Sequence, residues 1–330
     1  MIPVLCPKPT GKEIKELKRV IASGWWGMGP KTQELEEKFA KLTGAKYAVA
    51  TNSCTSALDI AVRLIKLPNP VKVSAFTFVS SALSPLNAGY KIKFVDINPK
   101  TLCTPKSDIQ VMYAGNIAGK GKIYDMAHCG GYKHLGKISC WSFHAVKNLP
   151  AGDGGMITMN SKKLHQRAKA LSWCGIDKST FARTKNKYSW DYDIKEAGLK
   201  AHMNDITATI ALCQLKEIKK NNQYRKRLAK EYFKHLPSSV ALPYPSDTWH
   251  LFTIRARNRD KLADYLANNG ISTGVHYKPL YDYPIFKGKK LPNTEKAFKE
   301  ILTLPMHCDL KIKDVRHICQ LITKFYEYEL

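Results

Sequence analysis

A lysine and an aspartate carry the chemistry that this sequence advertises. Lys147 lies in the stretch CWSFHAVKNLPAGDGGMITMN, residues 140–160, in a turn after an apolar run. The glycine-rich turn Gly152-Asp153-Gly154-Gly155 follows, then a short apolar strand, Met156-Ile157-Thr158-Met159. A charged lysine held between two strands near the centre of a domain is costly unless it is paired. A desolvated amine also loses its proton more easily and can attack a carbonyl. Asp125 ends a second apolar strand, Ile123-Tyr124-Asp125, 22 residues earlier. An amine that can form a Schiff base and an acid that can hold a pyridine nitrogen protonated are what pyridoxal phosphate chemistry needs. Taken singly, each residue has a plainer reading: a solvated turn lysine, and a turn-forming or helix-capping aspartate.

Other residues can serve the same chemistry. Thr51-Asn52-Ser53-Cys54-Thr55-Ser56 precedes a helix with Leu58, Ala61, Val62 and Ile65 facing inward. Hydroxyls and unpaired N–H groups at a helix start bind phosphate; simple N-capping by Ser or Thr explains the same pattern. Residues 71–79 read as a strand entering a loop that carries Phe78, so Phe78, the Ser/Thr turn and Asp125 all fall just past strand ends. In open α/β sheets ligands bind there.

These residues need a scaffold, and the hydrophobic patterning supplies one. Helical spacing runs over residues 11–22 and again from Pro30 through Leu35, Phe39 and Leu42. Short strands and helices then alternate to residue 174, which predicts an α/β domain with a mostly parallel central sheet flanked by helices. The segment between Val111 and Asp125 is short for a crossover helix. Residues 177–196 read as an ordered loop. A long helix is expected over 204–236, its later half alternating basic and aromatic residues on a solvated face. The proline-rich stretch 237–247 reads as a linker. Strands at 250–254 and 271–278 and helices at 259–268, 294–302 and 312–326 then predict a small α+β domain. The expected division is 1–236 for the large domain and 237–330 for the small one.

Composition narrows the classes. The net charge of +26 over 330 residues could attract nucleic acid or phosphorylated substrates. The lysines are spread along the chain, and no zinc-finger, RNP-like or basic-zipper pattern occurs, which makes nucleic-acid binding the minor reading. No apolar run approaches the ~18 residues of a membrane span. The start MIPVLCPKPTGKE has no secretory pattern. With nine scattered cysteines, this predicts a reducing, cytoplasmic setting. His128, Cys129, His134, Cys140 and His144 lack metal-site spacing, and no metal is expected. GNIAGKGK lacks the spacing and the Ser/Thr of a P-loop.

In order along the chain stand GWWGMGP (24–30), SCTSAL (53–58), AFTFVSSA (75–82), FVDINPKTL (94–102), YDMAHC (124–129), SFHAVKN (142–148), GDGGM (152–156), KAHMNDI (200–206), GVHYKPL (274–280) and LPMHCDL (304–310). Together they resemble the DegT/DnrJ/EryC1/StrS group of nucleotide-sugar aminotransferases, pyridoxal-phosphate enzymes of fold type I, nearly end to end. The resemblance implies that Lys147 holds pyridoxal 5′-phosphate as a covalent aldimine, with pyridoxamine 5′-phosphate as the intermediate form. It implies that Asp125 pairs with the pyridinium nitrogen, that Phe78 stacks on the ring and that His128 sits near its 3′-hydroxyl. Thr55, Ser56 and Ser142 hold the phosphate, and Lys200 reaches it from a neighbouring subunit. His276, Tyr277 and Trp26 fall at the substrate side. The implied activity moves an amino group from L-glutamate to a nucleotide-linked keto-sugar in a homodimer with shared active sites. Members of the group with histidine in place of the lysine remove a hydroxyl instead; Lys147 argues against that branch. Cys54 stands where many members have glycine. A cofactor-binding protein without transaminase activity is the other reading.

Overall fold

The computed structural model describes residues 1–176 and 191–328. Most of the loop expected over 177–196 therefore lies outside the described residues. The chain begins with helices α1 (Glu13–Ala22) and α2 (Pro30–Thr43). Pro30 opens α2 at its first turn, and Gly44 closes it in a left-handed conformation, φ 71°. Then come β1 (Tyr47–Thr51), α3 (Cys54–Leu64), β2 (Val71–Ser74), α4 (Ser80–Asn87), β3 (Ile92–Val95), β4 (Ile109–Val111), β5 (Ile123–Asp125), β6 (Ile138–Ser142), β7 (Gly155–Met159) and α5 (Lys162–Ser172). The long helix is α6 (Asp205–His235). The chain ends with β8 (Phe252–Arg255), α7 (Arg259–Asn268), α8 (Pro292–Glu300), β9 (Ile301–Leu304) and α9 (Ile312–Tyr328).

Seven strands form one sheet in the order β1-β7-β6-β5-β4-β2-β3. The pairs β2–β3, β2–β4, β4–β5 and β5–β6 are parallel. Only β7, wedged between β1 and β6, runs antiparallel to its neighbours. This is the mostly parallel α/β sheet that the patterning predicts. The short segment before β5 does not disturb it: a single 3₁₀ turn, Tyr113–Gly115, joins β4 to β5 without an α-helix, and the two strands remain parallel neighbours.

Alternation along the strands sends side chains to two cores. Val49, Ile123, Ile138 and Ile157 pack with α3 and α5 on one face. Ala48, Ala50, Trp141 and Met156 pack with α2 and α6 on the other. A further core gathers Phe252, Ile254, Leu302, Leu304, Ile318 and Ile322 with the end of α6, at Leu228, Ala229 and Tyr232. Residues near the start join it: Ile2 bridges Ile271, and Met306 N donates to the Val4 carbonyl at 2.9 Å. No helix among the described residues is long and apolar enough to cross a membrane.

Two expectations for the C-terminal part are corrected. Residues 271–278 are not a strand: they make isolated bridges only, Ile271 to Ile2 and Gly274 to Thr303. The strand that pairs with β8 is β9, Ile301–Leu304, whose first two residues the patterning assigned to the end of a helix. Its four residues are all buried, so no face is left polar to reveal a period of two.

Candidate active site

A cavity of about 470 Å³ opens at the carboxyl ends of β5 and β6. Lys147, Asp125, His128, Phe78, Thr55, Ser142, His276 and Tyr277 all line it. They come from five separate segments, and the packing of the chain brings them together.

Lys147 rides on the turn between β6 and β7. Phe143 N donates to the Gly154 carbonyl at 2.8 Å and Ala151 N to the Phe143 carbonyl at 2.7 Å, which closes the turn at both ends. Burial pushes the Lys147 amine down to about 8, against the opposing pull of Asp125, Cys54 and Cys129. Asp125 is 6% exposed at the end of β5. Its carboxylate accepts the Ser81 hydroxyl at 2.7 Å and the Ala127 N–H at 3.1 Å. Burial raises its pKa; Ser81, the Ala127 N–H and Lys147 resist that rise.

His128 is held at both nitrogens. Its Nδ1 accepts the Ala114 N–H at 3.0 Å, and its Nε2 lies 3.1 Å from the Tyr277 hydroxyl. A ring that accepts at Nδ1 carries its proton on Nε2, so His128 donates to Tyr277. Burial first, then Lys147 and His276, keep its pKa well below the usual histidine value. His276 is likewise depressed, to about 4, by burial and Lys147; its Nδ1 lies 2.9 Å from Thr303 Oγ1. Phe78 stays 58% exposed over the cavity, its ring centroid 6.3 Å from that of Tyr277.

The start of α3 forms one end of the cavity. Ser53 caps it, its Oγ accepting the Ser56 N–H at 3.0 Å. Thr55 Oγ1 lies 2.7 Å from Ser80 Oγ, and both residues face the cavity. Ser56 is turned back, its hydroxyl donating to Asn52 Oδ1 at 2.7 Å, and does not line the cavity. Lys200 and Trp26 are elsewhere within the chain. They line a second hollow of about 360 Å³ with Trp25, Trp173 and His202, where Lys200 Nζ stands 4.6 Å over the Trp173 ring.

Sequence reasoning missed three contributors. Ser81 and Asn148 lie inside stretches noted for other residues, and nothing in their spacing marks them. His250, read only as the start of a strand, comes within 3.4 Å of Lys147 Nζ. Among the described residues no group of three or more His, Cys, Asp or Glu could hold a metal ion.

Comparisons with known proteins cover nearly the whole chain. The spore coat polysaccharide biosynthesis protein SpsC of Bacillus subtilis is 29% identical, with 97% of this chain and 96% of that protein covered. A putative sugar aminotransferase from Streptococcus pneumoniae superposes in its PMP-form with a TM-score of 0.90 at 25% identity, covering 100% of both chains. Its PLP-form gives a TM-score of 0.88 at 26% identity over 100% and 99% of the two chains. By class, then, the chain is an aminotransferase. It belongs to the DegT/DnrJ/EryC1/StrS aminotransferase family, whose sequence model matches residues 7–114 and 121–323. The gap between the two matched stretches falls in the short connection between β4 and β5.

Proposed function

We propose that this chain transfers an amino group from L-glutamate to a nucleotide-linked keto-sugar, a 4-keto-6-deoxyhexose ahead of a 3-keto sugar, with pyridoxal 5′-phosphate as cofactor. The observation that carries the proposal is the meeting of Lys147 and Asp125 in one cavity. An amine with a pKa near 8 is available to bond an aldehyde at neutral pH. A buried carboxylate, held by one hydroxyl and one N–H, suits a cationic ring nitrogen. The cavity fits a flat aromatic phosphate: hydroxyls at a helix N-terminus lie at one end, and an exposed phenyl ring borders it.

On this reading the cofactor supplies a sink for the electrons released when a substrate C–H bond breaks. The chain's own residues do the rest. Lys147 would hold the cofactor, and its Nζ would move a proton. Asp125 keeps the ring nitrogen protonated, and Ser81 keeps Asp125 aimed. Thr55 and Ser142, with the α3 N-terminus, hold the phosphate; Ser56 stiffens that turn through Asn52. Phe78 covers a ring face, and His128 orients Tyr277 beside it. His276 and Tyr277 border the sugar side, with Trp26 at its rim.

Lys200 and Trp26 complete this picture only if a second copy of the chain brings them to the cavity. A homodimer with shared sites is therefore part of the proposal. So is the division of labour: residues 1–236 bind the cofactor and 237–330 close over the substrate, with residues 2–4 and the end of α6 packed into the smaller body. A cytoplasmic location accords with the cysteines, all of which are free. Nucleotide phosphates would be drawn by the net charge of +26. A sugar dehydratase of the same fold is the second reading, and the lysine at position 147 speaks against it.

The test is a spectral titration. The purified protein with pyridoxal phosphate should change its visible absorbance with glutamate, and a keto nucleotide sugar should reverse the change. A panel of 3-keto and 4-keto sugars would identify the substrate. No response to glutamate, or reversal only by small keto acids, would overturn the reading.

A further inference from the structure

Lys147 has a second neighbour, delivered from the far side of the chain. His250 stands two residues ahead of β8 and is 1% exposed. Its Nε2 lies 3.4 Å from Lys147 Nζ, and its Nδ1 lies 3.1 Å from Asn148 Oδ1. The Asn148 amide can face only one way. Its Nδ2 sits 2.8 Å from the Thr248 carbonyl, which accepts and cannot donate. The same Nδ2 donates to Asn222 Oδ1 at 2.9 Å. Asn222 is fixed by the same logic, its own Nδ2 donating to the Gly130 carbonyl at 2.8 Å. With both donors of Asn148 engaged, its oxygen accepts a hydrogen bond from the His250 Nδ1–H. Nε2 is then left with a bare lone pair toward the lysine.

The surroundings keep it bare. A second proton on the ring is opposed by burial and by Lys147, His128, Arg225 and His276, which together hold the ring pKa well below the usual histidine value. The backbone behind the ring is fixed as well. Arg225, 3% exposed, donates through Nη1 to the carbonyls of Trp249 at 3.3 Å, His250 at 3.5 Å and Met306 at 2.7 Å.

We propose that His250 is a positioning residue for Lys147: a neutral ring, protonated at Nδ1, whose Nε2 accepts a hydrogen bond from the lysine amine and fixes where that amine stands. The proposal rests on the reading of Lys147 as the reacting lysine, although the tautomer does not. An acceptor on Nζ steadies the charged amine against the burial that lowers its pKa.

Two measurements on the protein without cofactor test this, and neither needs turnover. The first is nitrogen-15 NMR of histidine-labelled wild-type protein, with His250→Gln identifying the signal. His250 should show a protonated Nδ1 and a bare Nε2 at neutral pH. A proton on Nε2, or on both nitrogens, overturns the proposal. The second is the pH midpoint for acylation of Lys147 by acetic anhydride, read by mass spectrometry of its peptide. His250→Phe should lower that midpoint by about one pH unit, the size expected for losing a hydrogen bond to a charged group. His250→Gln, whose amide oxygen can occupy the place of Nε2, should return most of the shift. An unchanged midpoint in folded His250→Phe overturns the proposal, and the wild-type tautomer decides it if that variant does not fold. Borohydride-fixed cofactor on a residue other than Lys147 would sink the functional reading instead, and leave both measurements standing.

Discussion

The Ser81 hydroxyl donates to the Asp125 carboxylate at 2.7 Å, across 44 residues of chain. Ser81 is 0% exposed and Asp125 6%, so water offers the carboxylate little alternative. Removing the hydroxyl leaves the carboxylate one donor short in a place where that is expensive.

Ser81→Ala should therefore slow amino transfer about tenfold, the equivalent of one hydrogen bond to a charged group. Asp125→Asn, which cannot hold a ring nitrogen protonated, should slow it about a hundredfold or more. Asp153→Asn is the control: Asp153 is exposed and lines the same cavity, so its loss should cost little. Steady-state rates with one donor–acceptor pair check all three, and equal losses for the two aspartates would mean that the wrong acid has been chosen.

Lys147→Ala should abolish the cofactor's covalent attachment and reduce transfer about a thousandfold or more. Borohydride reduction and peptide mapping should find the label on the peptide that contains Lys147.

The pH dependence has a definite sign. Only the unprotonated amine attacks an aldehyde, so cofactor uptake by the empty protein should speed up as pH rises through about 8 and level off above it. A midpoint at 10.5, the ordinary lysine value, would contradict the desolvated site. Stability follows the same group. Between about 8 and 10.5 the unfolded chain binds the extra proton, so this lysine makes the empty protein more stable as pH climbs through that window. Below it the cost of the buried charge is fully present. Lys147→Met should flatten that rise in denaturant unfolding measured on either side of pH 8.

Gly155→Ala should loosen the end of the cavity formed by the start of α3. A Cβ at this position would lie 2.5 Å from the carbonyl of Ser53 and 2.6 Å from the Cys54 nitrogen, both backbone. Those atoms begin α3, so the helix start must move. The expected result is a fall in cofactor affinity of about tenfold and a stability loss of about 1–3 kcal/mol. Calorimetric titration and thermal unfolding measure the two. Unchanged affinity would show that the start of α3 does not hold the phosphate.

Asp205, the first residue of α6, serves the start of α2 instead of its own helix. Its carboxylate accepts the N–H groups of Gly29, Lys31 and Thr32, each at 2.9 Å, and the Thr32 hydroxyl at 2.7 Å. Asp205 is 2% exposed, so Asp205→Ala strands buried donors and should cost about 3 kcal/mol in urea unfolding. A loss under about 1 kcal/mol would show that water replaces the carboxylate, which the burial argues against.

Much of this could be read without coordinates. The α/β pattern, the long helix and the turn that carries Lys147 are local: each depends on residues a few positions apart, through hydrophobic period, glycine placement and capping. Lys147 and Asp125 were visible because Asp125 ends an apolar strand and Lys147 sits in the turn between two others, where a charged side chain calls for a reason. The strand β9 was not visible, because a short run buried on all sides has no periodicity to read.

The neighbours of Lys147 and Asp125 belong to another order of information. Ser81 reaches Asp125 across 44 residues and His250 reaches Lys147 across 103; no spacing rule links such positions. The chain's chemistry is written in side-chain types, but the pKa of an amine depends on what excludes water from it and which charges face it. Those conditions exist only once distant segments have packed around it.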